Sequence, residues 1–349
     1  MALSNLDSFF TEAHTQGASD LHLVTGMPPI IRLHGELVAL DSPTLTGKNI
    51  EALVVAIINT AQRERFERER EFDFSYQSKD GTRFRVNLHF ERDNIGLVAR
   101  VIPTEIPTLD DIGMPPVVRQ LTELDYGLVL ITGPTGCGKS TTLASIINHI
   151  NEDRAVNIIT LEDPIEFLFR AQKSIIKQRQ LGSDMISFAE GLKHTLRQDP
   201  DVIMVGEMRD LDTIGTTLTL AETGHLVLAT LHTNNAAQTI DRIIDVFPPH
   251  QQTQIRLQLS FSMKAVISQR LLPRSDGKGR IAAREILLNN PAVSNLIREN
   301  KVAQIKSVIQ TSAEDGMMTM DQHLKWLVRQ DAISRETALA HVSAPEVLQ

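Results

Sequence analysis

The chain has 349 residues, of which 42% are hydrophobic, 22% charged and 4% aromatic, with a net charge of −8 and one cysteine, Cys137. At roughly 150 residues per domain this length predicts about two domains, each able to bury a core without disulfides or metals. The balance excludes a disordered chain, an intramolecular disulfide and a four-cysteine zinc site, and it argues against nucleic acid as a partner, which needs a basic face.

At the N-terminus, residues 1–15 carry Asp7, Glu12 and His14 and no basic start followed by an apolar stretch, so no secretory signal is expected. No apolar run approaches the ~18 residues of a membrane span, and a cytoplasmic location follows as the expectation. The first hundred residues predict a small α+β unit. Leu21 and Leu23, then Ile31 and Leu33, alternate with polar neighbours around Gly26-Met27-Pro28-Pro29, which predicts two short strands and a turn. Residues 49–70 predict one helix with Ile50, Leu53, Val54, Ile57 and Ile58 on one face. In its charged end, Arg63/Glu67, Glu64/Arg68 and Arg65/Glu69 are spaced for ion pairs on a solvated face.

Residues 71–76 alternate with period two, Lys79-Asp80-Gly81-Thr82 is a turn, and Phe84, Val86, Leu88 and Phe90 alternate again with Arg83, Arg85, Asn87 and His89 on the other face. Residues 96–102 form a further strand. The stretch 102–116 holds Pro103, Pro107, Pro115 and Pro116 and predicts a linker, because each proline removes a backbone donor and fixes φ. The expected division is therefore 1–102, a linker over 103–116, and 117–349.

Beyond Tyr126 the pattern changes. Residues 128–131, 156–161, 202–205 and 226–231 are continuous apolar runs with helical patterns between them, which predicts a largely parallel sheet covered by helices. Ser187 and Glu190 predict a capping box opening a helix to Arg197. From Pro248 onward the chain is expected to be mostly helical, with a loop over 275–279 and one strand over 281–288.

Gly133-Pro134-Thr135-Gly136-Cys137-Gly138-Lys139-Ser140, followed by Thr141, fits G-x-x-x-x-G-K-[ST] between an apolar strand and an amphipathic helix. Glycines let backbone N–H groups curl around an anion, and the helix N-terminus adds positive potential. Lys139 reaches the β- and γ-phosphates, and the Ser140 hydroxyl ligates Mg²⁺. Cys137 is either a redox-sensitive thiol or a small residue in a tight loop, and nothing in the sequence favours the first. Hydrolysis needs acids at the carboxyl ends of neighbouring strands. Glu162 follows the run 158–161 and Glu207 follows 202–206; either can hold Mg²⁺, directly or through water, or orient the attacking water. His225 and His232 bracket the run 226–231. His232, at its carboxyl end, is placed to contact the γ-phosphate; His225 is at the far end.

These segments resemble the secretion and pilus ATPases. The signature run 196–210 (L-R-Q-D-P-D-V-I-M-V-G-E-M-R-D), the P-loop, the acidic box 160–166 (T-L-E-D-P-I-E) and the histidine box from Thr223-Gly224-His225 to Leu231-His232-Thr233 stand in the family's order. Gly17-Ala18-Ser19-Asp20-Leu21-His22 and Gly26-Met27-Pro28-Pro29 extend the resemblance over nearly the whole chain. Within the family it looks most like the retraction ATPases of type IV pili. The chain is short, lacks the four-cysteine zinc insertion of the extension and secretion relatives, and carries Gly316-Met317-Met318-Thr319-Met320-Asp321. Two positions depart from the pattern. Ser294 replaces the first arginine of A-I-R-N-L-I-R-E, here A-V-S-N-L-I-R-E over 292–299, and Cys137 stands where serine is usual.

The resemblance implies a PAS-like N-terminal domain, a RecA-like P-loop ATPase domain with a helical C-terminal region, and a homohexamer. It implies ATP and Mg²⁺ as ligands and peripheral attachment at the inner membrane through a pilus platform protein, with a paralogous retraction ATPase as a further partner. Glu162 would prepare the water, and Glu207 would support Mg²⁺ or the water. Arg85 and Arg100, with Arg83 as an alternative, would complete the site from the N-terminal domain, the linker acting as hinge. An accessory or weakly active subunit, an extension or secretion ATPase, and a nucleic-acid translocase are the competing readings.

Overall fold

Two different hydrophobic periods build two units. The structure, a computed structural model, describes residues 5–33, 35–102 and 105–348. Pro103 of the expected linker lies outside the described residues. The first unit comprises Met1–Glu105 with Pro164–Leu168, and the second Ile106–Asp163 with Phe169–Gln349.

In chain order the first unit runs α1 (Leu6–Thr15), β1 (Asp20–Leu23), β2 (Ile30–Leu33), β3 (Glu36–Ala39), α2 (Gly47–Val55), α3 (Thr60–Glu69), β4 (Glu71–Gln77), β5 (Arg83–Glu91) and β6 (Asn94–Ile102). The strands form one sheet in the order β3-β2-β1-β6-β5-β4, and every pairing is antiparallel. Period-two alternation sends Phe84, Val86 and Leu88 inward, where they meet Phe10, Ile50, Val54 and Phe66 of the helices. Residues 49–70 are not one helix. The chain leaves α2 after Val55 and re-enters at Asn59, whose side chain accepts from Gln62 N–H at 2.9 Å while Gln62 accepts from Asn59 N–H at 2.9 Å. That reciprocal cap starts a new helix inside an apparently continuous pattern. Arg63–Glu67 and Arg65–Glu69 pair at 2.8 Å as spaced, whereas Arg68 reaches Glu69.

The second unit holds α4 (Val117–Thr122), β7 (Gly127–Thr132), α5 (Lys139–Asp153), β8 (Asn157–Glu162), β9 (Ile175–Gln180), α6 (Phe188–Thr195), β10 (Val202–Val205), α7 (Leu211–Glu222), β11 (Leu226–Leu231), α8 (Ala236–Asp245), α9 (Pro249–Ser262), β12 (Met263–Pro273), β13 (Arg280–Leu288), α10 (Pro291–Arg298), α11 (Ile305–Thr311), α12 (Met320–Arg329) and α13 (Arg335–Leu339). Its sheet has the order β13-β12-β7-β11-β10-β8-β9. All pairings are parallel except the β12–β13 hairpin. One apolar core lies on each face, as continuous apolar strands require. Among the described residues no helix is long and apolar enough to cross a membrane.

In the second unit two strands differ from expectation, and in the first β3 is an addition to the two short strands expected around Gly26–Pro29. β9 carries the mixed run Ile175-Ile176-Lys177-Gln178-Arg179-Gln180, which has no clean strand period. β12 replaces part of the expected helical region: its apolar residues are buried on both faces, so its period cannot separate strand from helix. Ser187 caps α6 through Glu190 N–H at 3.2 Å, but Glu190 turns to Lys193 at 2.6 Å and the helix stops at Thr195.

The proline-rich stretch packs from Leu109 onward, where Leu109 and Met114 are buried. Arg284 of β13, 1% exposed, donates from Nη1 to Gly113 O at 2.9 Å and from Nη2 to Ile112 O at 2.8 Å. Its own backbone N–H donates to His323 Nδ1 at 2.8 Å. Burial, with the Arg284 charge beside it, pushes the His323 imidazole down to about 4. The unfolded chain therefore binds one more proton than the folded chain between the ordinary histidine value and about 4, so this contribution is complete above about 6.5 and lost on acidification. The expected cost by pH 4 is on the order of 3 kcal/mol. His323→Asn keeps an acceptor for the Arg284 N–H and cannot titrate. Urea midpoints measured from pH 7 to pH 4 should fall less steeply for this variant than for the parent, and equal slopes would refute the assignment.

Candidate active site

The site grows from the end of β7. Gly133 leaves the strand with φ +144°, and a Cβ there would lie 2.3 Å from Gln269 O and 2.6 Å from Cys137 Sγ. Glycine is the residue that lets loop and strand approach so closely. Gly138, at φ 89°, is the left-handed N-cap of α5 and turns the chain into the helix at Lys139. Pro134, Thr135, Gly136 and Ser140 are exposed, while Cys137 is 3% exposed. Burial pushes the Cys137 thiol up, against the opposing pull of Lys139, so it is held away from the thiolate form that oxidation chemistry needs.

Lys139 is the junction of the site. Its Nζ donates to Gly133 O at 2.8 Å, to Pro134 O at 3.2 Å and to His232 Nδ1 at 3.3 Å. An ammonium only donates, so Nδ1 of His232 accepts and the ring's N–H is on Nε2. That N–H lies 3.0 Å from Glu207 Oε1, and Arg209 Nη2 lies 2.8 Å from Glu207 Oε2. Burial raises the Glu207 carboxyl, but Arg209 and His232 together outweigh it and hold it below the ordinary range. Burial lowers the Lys139 ammonium, and Glu207 works against that shift. Lys139, His232, Glu207 and Arg209 thus form one bonded line across the ends of β7, β11 and β10.

Strand order explains the convergence. β7, β11 and β10 are consecutive neighbours, so the segments leaving their carboxyl ends emerge side by side. Glu162 ends β8, one strand further out, about 14 Å from β7 at ~4.8 Å per strand. It is 5% exposed, and its Oε1 accepts from Thr160 Oγ1 at 2.6 Å and Gln178 Nε2 at 3.0 Å. His225 opens β11 at the opposite end, where its Nδ1 lies 3.0 Å from Leu220 O at the end of α7. Arg85 and Arg100 belong to the first unit. They face each other across β5 and β6, both exposed, and Arg100 pairs with Asp20 at 2.8 Å.

Among the described residues no cluster of three or more His, Cys, Asp or Glu side chains is arranged to hold a metal. The residues present suit a cation that arrives with phosphate ligands and keeps water: an exposed Ser140 hydroxyl on the first turn of α5, with an ionised Glu207 on the line to Lys139.

Sequence reasoning missed three supporting residues. Gln178 on β9 and Gln269 on β12 sit in strands the pattern did not reveal. Arg209 was visible only as part of a motif and not as the carboxylate's partner. Gln269, 1% exposed, donates from Nε2 to Cys137 O at 2.8 Å and accepts from Thr142 Oγ1 at 2.9 Å.

The family model for type II/IV secretion system proteins matches residues 2–334. A Pseudomonas aeruginosa protein named type IV pilus retractation ATPase PilT is 48% identical over 331 residues, covering 95% of this chain and 96% of that protein. The type IV pilus ATPase PilU of the same organism is 41% identical over 334 residues, covering 96% and 87%. Among solved structures, the pilus retraction motor PilT with bound ADP superposes with a TM-score of 0.93 at 45% identity, covering 99% of this chain and 98% of that one.

Gly133→Ala should push the loop off β12. A loss of nucleotide affinity of about tenfold or more, with a lower melting temperature, is expected from fluorescent-ADP titration and thermal unfolding. Unchanged affinity would mean that the close approach is not required.

Proposed function

The chain belongs to the type II/IV secretion system protein family, and we propose that it is the ATPase motor that drives type IV pilus retraction, and with it twitching motility. It is an ATPase, and its second unit is RecA-like. The observation that carries the reading is the bonded line from Lys139 through His232 to Glu207 and Arg209 beside the P-loop. It joins the phosphate-binding lysine to a carboxylate and to a histidine able to register the γ-phosphate.

In this reading loop N–H groups from Thr135 to Thr141 and the N-terminus of α5 hold the phosphates of ATP, with Gly133 and Pro134 shaping the turn. Lys139 carries its ammonium from the loop carbonyls to the β- and γ-oxygens. Releasing His232 from Lys139 frees an imidazole nitrogen beside the γ-phosphate, so nucleotide state changes how Glu207 is held. Glu162, fixed by Thr160 and Gln178, orients the attacking water. When bound, Mg²⁺ neutralises charge on the β- and γ-oxygens; Ser140 and, directly or through water, Glu207 would hold it. Arg85 and Arg100 are the proposed cationic contributors from the first unit, which we read as PAS-like. Stabilising charge that develops on the γ-phosphoryl group is where such a cation has its largest effect.

A homohexamer, a platform protein at the inner membrane and a paralogous ATPase are the partners this function calls for, and a cytoplasmic location follows. The similarity to PilT over nearly the full length of both chains supports the retraction assignment. An accessory role is favoured by one feature, Ser294, whose hydroxyl lies 2.8 Å from Ser260 O and 3.0 Å from Asn289 Oδ1 and so is turned into the helix packing. Turnover by the purified chain counts against that role.

Lys139→Ala should lower ATP turnover by more than about a hundredfold, since it removes a charge that acts on the reacting phosphoryl group. Full activity in this variant would remove the motor reading. In cells, Glu207→Ala at the native locus should leave long, abundant surface pili and abolish surface motility. Absent pili would assign the chain to assembly instead.

A further inference from the structure

The P-loop is held from beneath by a residue that no phosphate-binding motif includes. Gln269 lies on β12, 1% exposed, with its backbone carbonyl under Gly133 and its side-chain amide under the loop. The carbonyl of Cys137 can only accept, so the Gln269 amide must present Nε2 to it and Oε1 to the Thr142 hydroxyl. Both amide groups are therefore committed, one to the loop and one to the first turn of α5. Beside it, the buried hydroxyls of Ser268 and Thr132 are 2.8 Å apart and tie β12 to the last residue of β7.

The consequence lies in the peptide that joins Cys137 to Gly138. A trans peptide points its C=O and its N–H in opposite directions. Holding the Cys137 carbonyl down onto Gln269 therefore aims the Gly138 N–H away from the buried side, toward the open side of the loop where an anion is received. Gly138 is left-handed and glycine, so nothing in its own backbone preference fixes that peptide. We propose that Gln269 is a positioning residue of the nucleotide site: by fixing the Cys137–Gly138 peptide and the first turn of α5, it keeps the phosphate-binding N–H groups pre-aimed, without touching the nucleotide. This rests on the nucleotide-binding reading of the P-loop.

Pre-organisation of this kind acts on binding. If the loop samples other conformations, apparent affinity falls by the fraction that remains competent, while the saturated complex, with the loop re-formed around the phosphates, retains most of its rate. A buried carbonyl and a buried hydroxyl left without partners make the aimed conformation the one that loses, and the size of that penalty corresponds to about tenfold or more in affinity.

The test uses the full chain with a fluorescent ADP analogue and steady-state ATP turnover. Gln269→Met matches the side chain in length and removes both bonds. It should weaken ADP binding and raise KM by about tenfold or more, with kcat falling less than about threefold. Gln269→Glu keeps the acceptor for Thr142 and loses the donor while ionised, but regains it when protonated. Its affinity relative to the parent should recover as pH is lowered from about 8 to 6, since burial raises a carboxyl group's pKa into that range. Folded Gln269→Met with affinity and KM within about twofold of the parent would overturn the proposal. So would a Gln269→Glu deficit that does not change with pH, which marks a merely structural residue and needs no data from the methionine variant. Failure of the underlying reading is separate: it appears in the parent chain itself, as absent ADP binding.

Discussion

Everything the second unit does depends on the order of its strands. A parallel sheet exposes backbone and side chains at the carboxyl ends of its strands, and only adjacent strands bring those ends within bonding reach. Because β7, β11 and β10 are consecutive, a lysine after the first, a histidine after the second and a carboxylate after the third fall into one line. No loop of unusual length is needed. The same order leaves Glu162 one strand outside, where its Oε1 is held by Thr160 on β8 and Gln178 on β9.

The antiparallel hairpin at the far side of β7 adds a second layer of control. In successive rungs, Gln269 faces Arg284 and Ser268 faces Glu285. Each of these buried groups reaches a different segment: Gln269 the P-loop, Ser268 the end of β7, Arg284 the carbonyls of Ile112 and Gly113, and Glu285 the N–H of Ala236 at the start of α8. Removing a partner from a buried polar group is costly, so these bonds hold their segments to one geometry more firmly than apolar contacts of the same area. The hairpin thus fastens the loop before α4, the phosphate loop and the start of α8 to a common frame.

The sequence made the first of these layers legible and the second opaque, for a physical reason. P-loop, acidic strand ends and histidine each carry a local signature, because a strand end followed by the right side chain is visible within a few residues. The change of strand pattern is equally local: period-two strands with polar partners build the first sheet, and continuous apolar runs from Tyr126 onward build the second. Gln269 sits 132 residues beyond the carbonyl it holds, in a strand whose two buried faces give no period. No local pattern could have tied it to the loop. The break at Asn59 was hidden for the opposite reason: an asparagine followed three residues later by glutamine suffices for a cap, but the surrounding apolar spacing runs on through it. Arg284 and His323 are ordinary in sequence and become unusual only through burial.

The burial of Cys137 has a practical side. It is the chain's one cysteine, 3% exposed, and its thiol is held toward the protonated form. Thiol-directed reagents attack thiolates they can reach, and this residue offers neither condition. The natural protein is therefore in effect a cysteine-free background. A single cysteine placed on the exposed face of α3, or on the polar side of α12, would take a fluorophore or spin label with the P-loop left native. Distances within the working protein then become measurable without first rebuilding the nucleotide site to remove a competing thiol.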